Sequence, residues 1–285
     1  MKSSCILVDK NEILVEYAST ARRQEPGDKY EINVTYSGSV DYMLSKRQLT
    51  LYPETFIFLN PGTPYTRTID ATLPVNSLSL RFDPEFCQDF ERVLRMKQHQ
   101  LLDDPEGGTS LPKTFADGIY PLQGDLRYTL THLRKHISAG NLHPLLLGEY
   151  LNHCLLNCYG MYDTEIRDRA DALGFLADST RDEILRRLSI AKDYIISNYN
   201  KDICLEDIAH AACLSVNHFM RTFKQAYRQS PHQFLTSVRL KQAKFLLKNT
   251  DYPVNEIVDI VGFECASSFI RLFRNSFKVT PGQYR

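Results

Sequence analysis

The sequence lacks any long hydrophobic run. Its apolar stretches are a few residues each, well short of the roughly 20 needed to cross a membrane, so no spanning helix is expected. Met1 to Asp9 lacks the basic segment and apolar run of an export signal. The seven cysteines, Cys5, Cys87, Cys154, Cys158, Cys204, Cys213 and Cys265, form no Cys-x-x-Cys pair, and their number is odd. That argues against a disulfide framework and for reduced thiols in a cytoplasmic protein. Cys154 and Cys158 stand one helical turn apart and read as small buried apolar residues rather than a redox or metal pair. No Gly-rich phosphate loop and no Gly-x-Ser-x-Gly elbow is present. A metal centre on β-strands is equally unsupported: the only histidine before position 130 is His99, expected in a helix or loop. His132 and His136 have i, i+4 spacing, but on a predicted helix. An enzyme is therefore not expected, and no cofactor or metal is assigned.

Net charge is absent too, with 34 Lys/Arg against 34 Asp/Glu. The balance hides an asymmetry. Residues 190–285 carry 13 Lys/Arg against 8 Asp/Glu, and the remainder 21 against 26. A basic end on a neutral chain is a weak pointer to nucleic acid.

Residues 1 to about 110 carry short apolar or alternating segments, Glu31–Tyr36, Thr55–Leu59 and Ser77–Phe82. Turn signals separate them at Pro26-Gly27, Ser37-Gly38, Asn60-Pro61-Gly62 and Leu73-Pro74. This pattern predicts a β-sandwich or barrel. From 122 the period changes: Leu122, Leu126, Leu130, Leu133 and Ile137, then Leu147, Leu151, Cys154, Leu155 and Cys158, predict two amphipathic helices broken near Gly140 and Pro144. One stripe covers the β unit; a second, exposed one would suit a homodimer. Residues 163–185 are highly charged and poor in glycine, so a partly helical linker is expected.

The motif that carries the argument is a repeat. Phe219-Met-Arg-Thr-Phe223-Lys-Gln-Ala-Tyr227-Arg-Gln-Ser-Pro231-His-Gln-Phe234 returns as Phe269-Ile-Arg-Leu-Phe273-Arg-Asn-Ser-Phe277-Lys-Val-Thr-Pro281-Gly-Gln-Tyr284. Aromatics, cations, the Ser/Thr-Pro and the Gln-aromatic coincide, so one supersecondary unit occurs twice. A short helix precedes each copy, Leu205–Ala212 with a turn at Cys213-Leu214, and Val254–Val261 with a turn at Gly262-Phe263. Ser215 is placed to cap the longer helix that follows. Each unit reads as a helix-turn-helix.

On a helical wheel Phe219, Phe223 and Tyr227 form one buried stripe. Asn217, Met220, Arg221, Lys224 and Arg228 fall on the opposite face, and Ser267, Ile270, Arg271, Arg274 and Lys278 occupy the same angles in the second copy. Cations for phosphate and an arginine fork for base edges are what a reading face needs. A single unit of this kind could be only a solvated basic face; duplication of the same cations favours two readers in successive major grooves. Residues 232–248 between them predict a rod of about 25 Å. Its core would be Phe234, Leu235, Val238, Leu240, Ala243, Leu246 and Leu247, with Arg239, Lys241, Lys244 and Lys248 outside.

The run Ile208-Ala209, Leu214-Ser215, Phe219, Phe223, Arg239-Leu240, Ala243, Leu246-Leu247, Ile257, Val261-Gly262-Phe263, Ser268-Phe269, Phe273-Arg274, Thr280-Pro281 and Tyr284-Arg285 resembles the DNA-binding domain of the AraC/XylS family. The resemblance covers about Ile190–Arg285. It implies seven helices, two helix-turn-helix motifs and double-stranded DNA as the partner. By position, Asn217, Met220 and Arg221 match the family's base-reading residues in the first recognition helix, and Ala266, Ser267, Ser268, Ile270 and Arg271 those of the second. The family often has Gly where this chain has Arg228 and Lys278, and usually Ala in place of Val258. Asn60-Pro61-Gly62-Thr63-Pro64-Tyr65 resembles the family's turn before a strand in its cupin-like sensor, with Tyr65 where His is usual.

The expectation is thus an α+β chain. Residues 1–165 would form a cupin-like β-barrel with flanking helices, binding an effector and dimerising. Residues 166–185 would link it to an all-α DNA-binding domain at 186–285. Tyr30, Tyr36, Tyr42 and Tyr65 are candidate effector contacts. The resemblance implies a transcription regulator, an activator rather than a repressor, that engages RNA polymerase. The alternatives are a regulator controlled by a protein partner or by expression level, and a metal-dependent cupin enzyme, which the scarcity of histidine disfavours.

Overall fold

The structure, a computed structural model, describes residues 2–25, 27–44, 47–95, 115–174 and 177–285. His99 lies outside them. The chain divides into two compact units, Met1–Asp163 and Thr164–Arg285.

The first unit is built on eight strands: β1 (Lys2–Val8), β2 (Asn11–Glu25), β3 (Tyr30–Ser37), β4 (Val40–Leu44), β5 (Arg47–Leu51), β6 (Thr55–Leu59), β7 (Tyr65–Phe82) and β8 (Gly118–Pro121). Their order is β1-β2-β7-β3-β6-β8, with the β4-β5 hairpin paired to β7. The cupin-like sheet therefore follows an open hydrogen-bonded path rather than a closed ring. Strand alternation sends Tyr30, Ile32, Val34, Phe56, Phe58, Leu78, Leu80 and Phe82 into one core. Helices α1 (Pro84–Arg95), α2 (Gly124–Ser138) and α3 (Pro144–Ala172) cover that core. They contribute Cys87, then Leu126, Leu130 and Leu133, then Leu147, Leu151, Cys154, Leu155 and Cys158. Cys154 and Cys158 are buried free thiols, pushed up in pKa by burial, as packing residues should be. The break between the two helices falls at Gly140, whose φ is +73°.

One turn signal is overturned. Leu73-Pro74 does not end a strand; β7 runs through it. The register shows why: Thr20 pairs with Asp70 and Ala18 with Val75, so Ala71–Pro74 bulge out of the ladder with β2. A proline has no N–H to give to a ladder, and a bulge does not ask for one. The Asn60–Gly62 turn is present. Gly62 donates its N–H to the Gly27 carbonyl at 2.6 Å, and a Cβ on Gly27 would lie 2.4 Å from the Thr63 oxygen.

The division between the units falls inside α3. The charged stretch after it is largely helical: Arg169 pairs with Glu165 at i, i+4, and Glu183 with Arg186 and Arg187. Seven helices follow, α4 (Asp178–Ser197), α5 (Leu205–Ala211), α6 (Val216–Tyr227), α7 (Pro231–Asn249), α8 (Val254–Ile260), α9 (Ala266–Phe277) and α10 (Pro281–Tyr284). The connecting rod α7 departs from expectation in two places. Arg239 is not outside; it donates to the carbonyls of Tyr199 (2.7 Å) and Lys201 (2.9 Å). Lys244 is half-buried, with its ammonium over the rings of Phe277 and Tyr284. Both cations satisfy groups that a helical wheel of α7 alone does not contain.

Candidate nucleic-acid interface

The two helix-turn-helix units repeat down to single hydrogen bonds. In the first, Leu214 N–H donates to the Ala209 carbonyl (2.9 Å) and Cys213 N–H to that of His210 (2.9 Å). In the second, Phe263 donates to Val258 (3.0 Å) and Gly262 to Asp259 (3.0 Å). The turn requires a left-handed residue, supplied by Cys213 (φ +53°) and Gly262 (φ +81°). The second turn is one residue longer, since N-caps Ser215 and Cys265 follow them by two and three positions. Val258 is buried at the place of Ala209.

Beneath each recognition helix lies the same aromatic stack. Phe219 and Phe223 are fully buried, with ring centres 5.3 Å apart, and Phe223 stacks on Tyr227 at 4.3 Å. Phe269, Phe273 and Phe277 repeat this at 5.6 and 4.6 Å. The Gln-aromatic of the repeat explains itself here. Ser230 and Gln233 cap α7 reciprocally, as Thr280 and Gln283 cap α10. That geometry brings Phe234 and Tyr284 onto the stacks, 5.6 Å from Phe223 and 5.8 Å from Phe273.

With the underside so fixed, the expected reading residues face outward. Asn217, Met220, Arg221 and Lys224 are exposed on α6, and Ser267, Ile270, Arg271 and Arg274 on α9. Ala266 and Ser268, in the first turn of α9, are half-buried. The side chains of Arg221, Lys224, Arg271 and Arg274 make no ion pair among the described residues, so their charge is free for a partner. Met220 and Ile270, at the same place in each copy, are exposed at 41% and 40%, which sets an apolar side chain beside the cations twice. Arg228 and Lys278 end the helices in the left-handed region, with φ of +56° and +66°. This is a conformation that glycine adopts at lower cost than a residue with a side chain.

Ser215 holds the N-cap position, but its hydroxyl makes no capping bond. Cys265, which the sequence did not single out, holds the N-cap position of α9, likewise without a side-chain capping bond. Its Sγ lies 2.9 Å from Ser267 Oγ, and that hydroxyl, with the N–H groups of Ser268 and Ser267, lowers its pKa to about 7. Cys204, at the N-cap of α5, moves the other way because Asp207 sits over it.

Residues 208–285 match the helix-turn-helix domain model, and residues 12–156, just over half the chain, match the AraC-binding-like domain. The chain belongs to the AraC family of transcription regulators. An HTH-type transcriptional regulator of Haemophilus influenzae is 37% identical over 100 residues, 35% of this chain and 34% of that protein. The lactose operon transcription activator of Staphylococcus xylosus is 32% identical over 95 residues, 33% and 34% of the two chains. The raffinose operon regulatory protein RafR of Pediococcus pentosaceus is 26% identical over 164 residues, 57% and 55%. The match thus spans about a third of the length of the first of these relatives. No described helix is long and apolar enough to cross a membrane.

The four tyrosines proposed as effector contacts fall on two faces of the AraC-binding-like sheet. Tyr30 packs on Phe58 within the helix-covered core. Tyr36 sits under the guanidinium of Arg134 at 4.2 Å, and its hydroxyl donates to the Leu130 carbonyl. Tyr42 and Tyr65 lie together, rings 5.6 Å apart, in a buried polar cluster. There Tyr65 donates to Glu31 (2.5 Å), and Arg67 donates to Glu16, to the Tyr42 hydroxyl and to Ser77. Burial is the largest influence on Glu31 and raises its pKa, against the pull of Arg81. The Asn33 side-chain oxygen in this cluster is buried without a hydrogen bond.

Proposed function

We propose that the chain is a transcription activator that reads tandem half-sites in duplex DNA with α6 and α9, under the control of an effector bound by its N-terminal unit. The observation that carries the reading is the duplicated construction: one aromatic underside and one exposed, unpaired cationic face, made twice. Arg221 and Arg271 take base edges; Lys224 and Arg274 take phosphates; Asn217, Met220, Ser267 and Ile270 complete the reading faces, with Ala266 and Ser268 at the start of α9. Met220 and Ile270 suit thymine methyl groups. Activation follows the lactose operon transcription activator by analogy, and an activator of this kind would engage RNA polymerase. Such a protein works in the cytoplasm.

For the effector we favour the Tyr42–Tyr65 side of the sheet, because its buried groups are polar and Asn33 holds an acceptor in reserve. Tyr30 and Tyr36 already serve the packing of strands on helices. A homodimer would use the α2–α3 surface, where Tyr128 and Leu145 stand exposed at 66% and 77%.

Arg221→Ala and Arg271→Ala should each weaken specific binding by about 1–3 kcal/mol, read by titration of a duplex selected by the wild-type chain. Retention of full affinity by both variants would remove the proposed reading face. A small molecule that raises the melting temperature of the N-terminal unit supports the sensor role.

A further inference from the structure

The two recognition helices, alike in their aromatic undersides, differ in what covers the last ring of the stack. Over Phe277 the cation is Lys244, from the rod α7, at 4.8 Å. Over Tyr227 it is Arg169, 4.5 Å from the ring centre, and Arg169 belongs to the last turns of α3. The repeat does not contain this residue, so copy one borrows its cation from the segment that precedes the DNA-binding helices.

The setting of Arg169 is tight. Its guanidinium donates to Glu165 at 2.7 Å, and both side chains are less than one-fifth exposed. Leu173, one turn on, is fully buried. Lys192 and Asp193 of α4, only 2% and 1% exposed, act electrostatically on the same cluster. Tyr227 is held from below by Phe223 and from the side by Phe234, and it donates to the Leu188 carbonyl at 3.5 Å. A guanidinium over the open face of a ring so braced fixes the end of the helix that carries the ring.

We propose that Arg169 is a positioning residue for the first recognition helix, so that the end of α3 sets the affinity for one DNA half-site independently of the other. This rests on the reading of α6 and α9 as paired DNA readers. Lys244 does for α9 what Arg169 does for α6, but from the rod α7 that joins the two units. The first half-site is therefore the one open to control from α3.

The test uses the full chain and a duplex selected by the wild type from a random-sequence library, with each half-site scrambled in turn. Arg169→Ala should lose about tenfold on the duplex that retains only the first half-site, and keep wild-type affinity for the one that retains only the second. Lys244→Ala should show the reverse, and Arg169→Lys, which keeps a cation over the ring, should restore most of the loss. A merely structural role would lower both half-sites together. Equal losses at both, or none at either, overturn the proposal. Should Arg169→Ala not melt cooperatively, Tyr227→Leu decides. It keeps an apolar plug but removes the ring face, and undiminished first-half-site binding by that variant would also overturn it. Failure of the underlying reading looks different: the wild type would select no duplex, or scrambling would have no effect, and the proposal would fall with it.

Discussion

Two cysteines at helix N-caps show how one atom's neighbours decide its chemistry. Cys265 faces Ser267 and free N–H groups; Cys204 faces the carboxylate of Asp207. Alkylation of Cys265 by iodoacetamide should therefore rise with a midpoint near pH 7, because the thiolate is the nucleophile. Cys204 should respond only above the usual thiol range. Ser267→Ala should move the Cys265 midpoint upward, and peptide mass spectrometry across pH 5.5 to 10 reads both. Coincident midpoints would contradict the assignment. Arg228 and Lys278 make a second residue-scale case. A left-handed non-glycine residue costs about 1–2 kcal/mol, and glycine's freedom in the unfolded chain returns part of it. Arg228→Gly and Lys278→Gly should each stabilise the DNA-binding unit by about 0.5–1 kcal/mol in urea unfolding, seen as a higher midpoint with an unchanged slope.

At the scale of elements, the repeat was readable because its signals are local. Aromatics at four-residue spacing and a Ser/Thr-Pro three residues before the Gln-aromatic act within one or two helical turns. The Ser230–Gln233 capping box is the physical content of that last signal. Ser230→Ala should destabilise the unit by about 1 kcal/mol, the usual weight of a lost N-cap. A change within about 0.3 kcal/mol would show α7 to be held by packing alone. The sheet was less legible. Leu73-Pro74 looks like a strand end in sequence, yet the ladder absorbs it as a bulge. Arg239 and Lys244 look like solvent-facing cations on a wheel of α7, yet they answer the carbonyls of Tyr199 and Lys201 and the rings of Phe277 and Tyr284. Propensity and period describe an element's own faces; they carry nothing about what another element brings to them.

For the whole molecule, the consequence concerns where the chain can be cut. Residues 186–285 hold both helix-turn-helix units, but such a fragment opens inside α4 and omits Ile184 and Leu173, which are buried. The fragment 164–285 should melt cooperatively and bind duplex DNA with affinity that falls steeply with salt. The fragment 186–285 should melt several degrees lower. Equal melting temperatures would show the preceding residues to be dispensable; salt-independent binding by either would argue against a phosphate-contacting surface.

Taken by itself, the amino-acid order determined that two like-built helix-turn-helix units close the chain, that a strand-rich unit opens it, and which side of each recognition helix is apolar. Those features rest on periodicity and on caps, interactions completed within a few residues. Only the tertiary structure decided that Tyr42 and Tyr65 share a buried polar face while Tyr30 and Tyr36 serve the opposite core, and that Arg169 covers Tyr227. These are meetings of residues distant along the chain, set by strand register and helix packing, and no local pattern encodes which partner arrives.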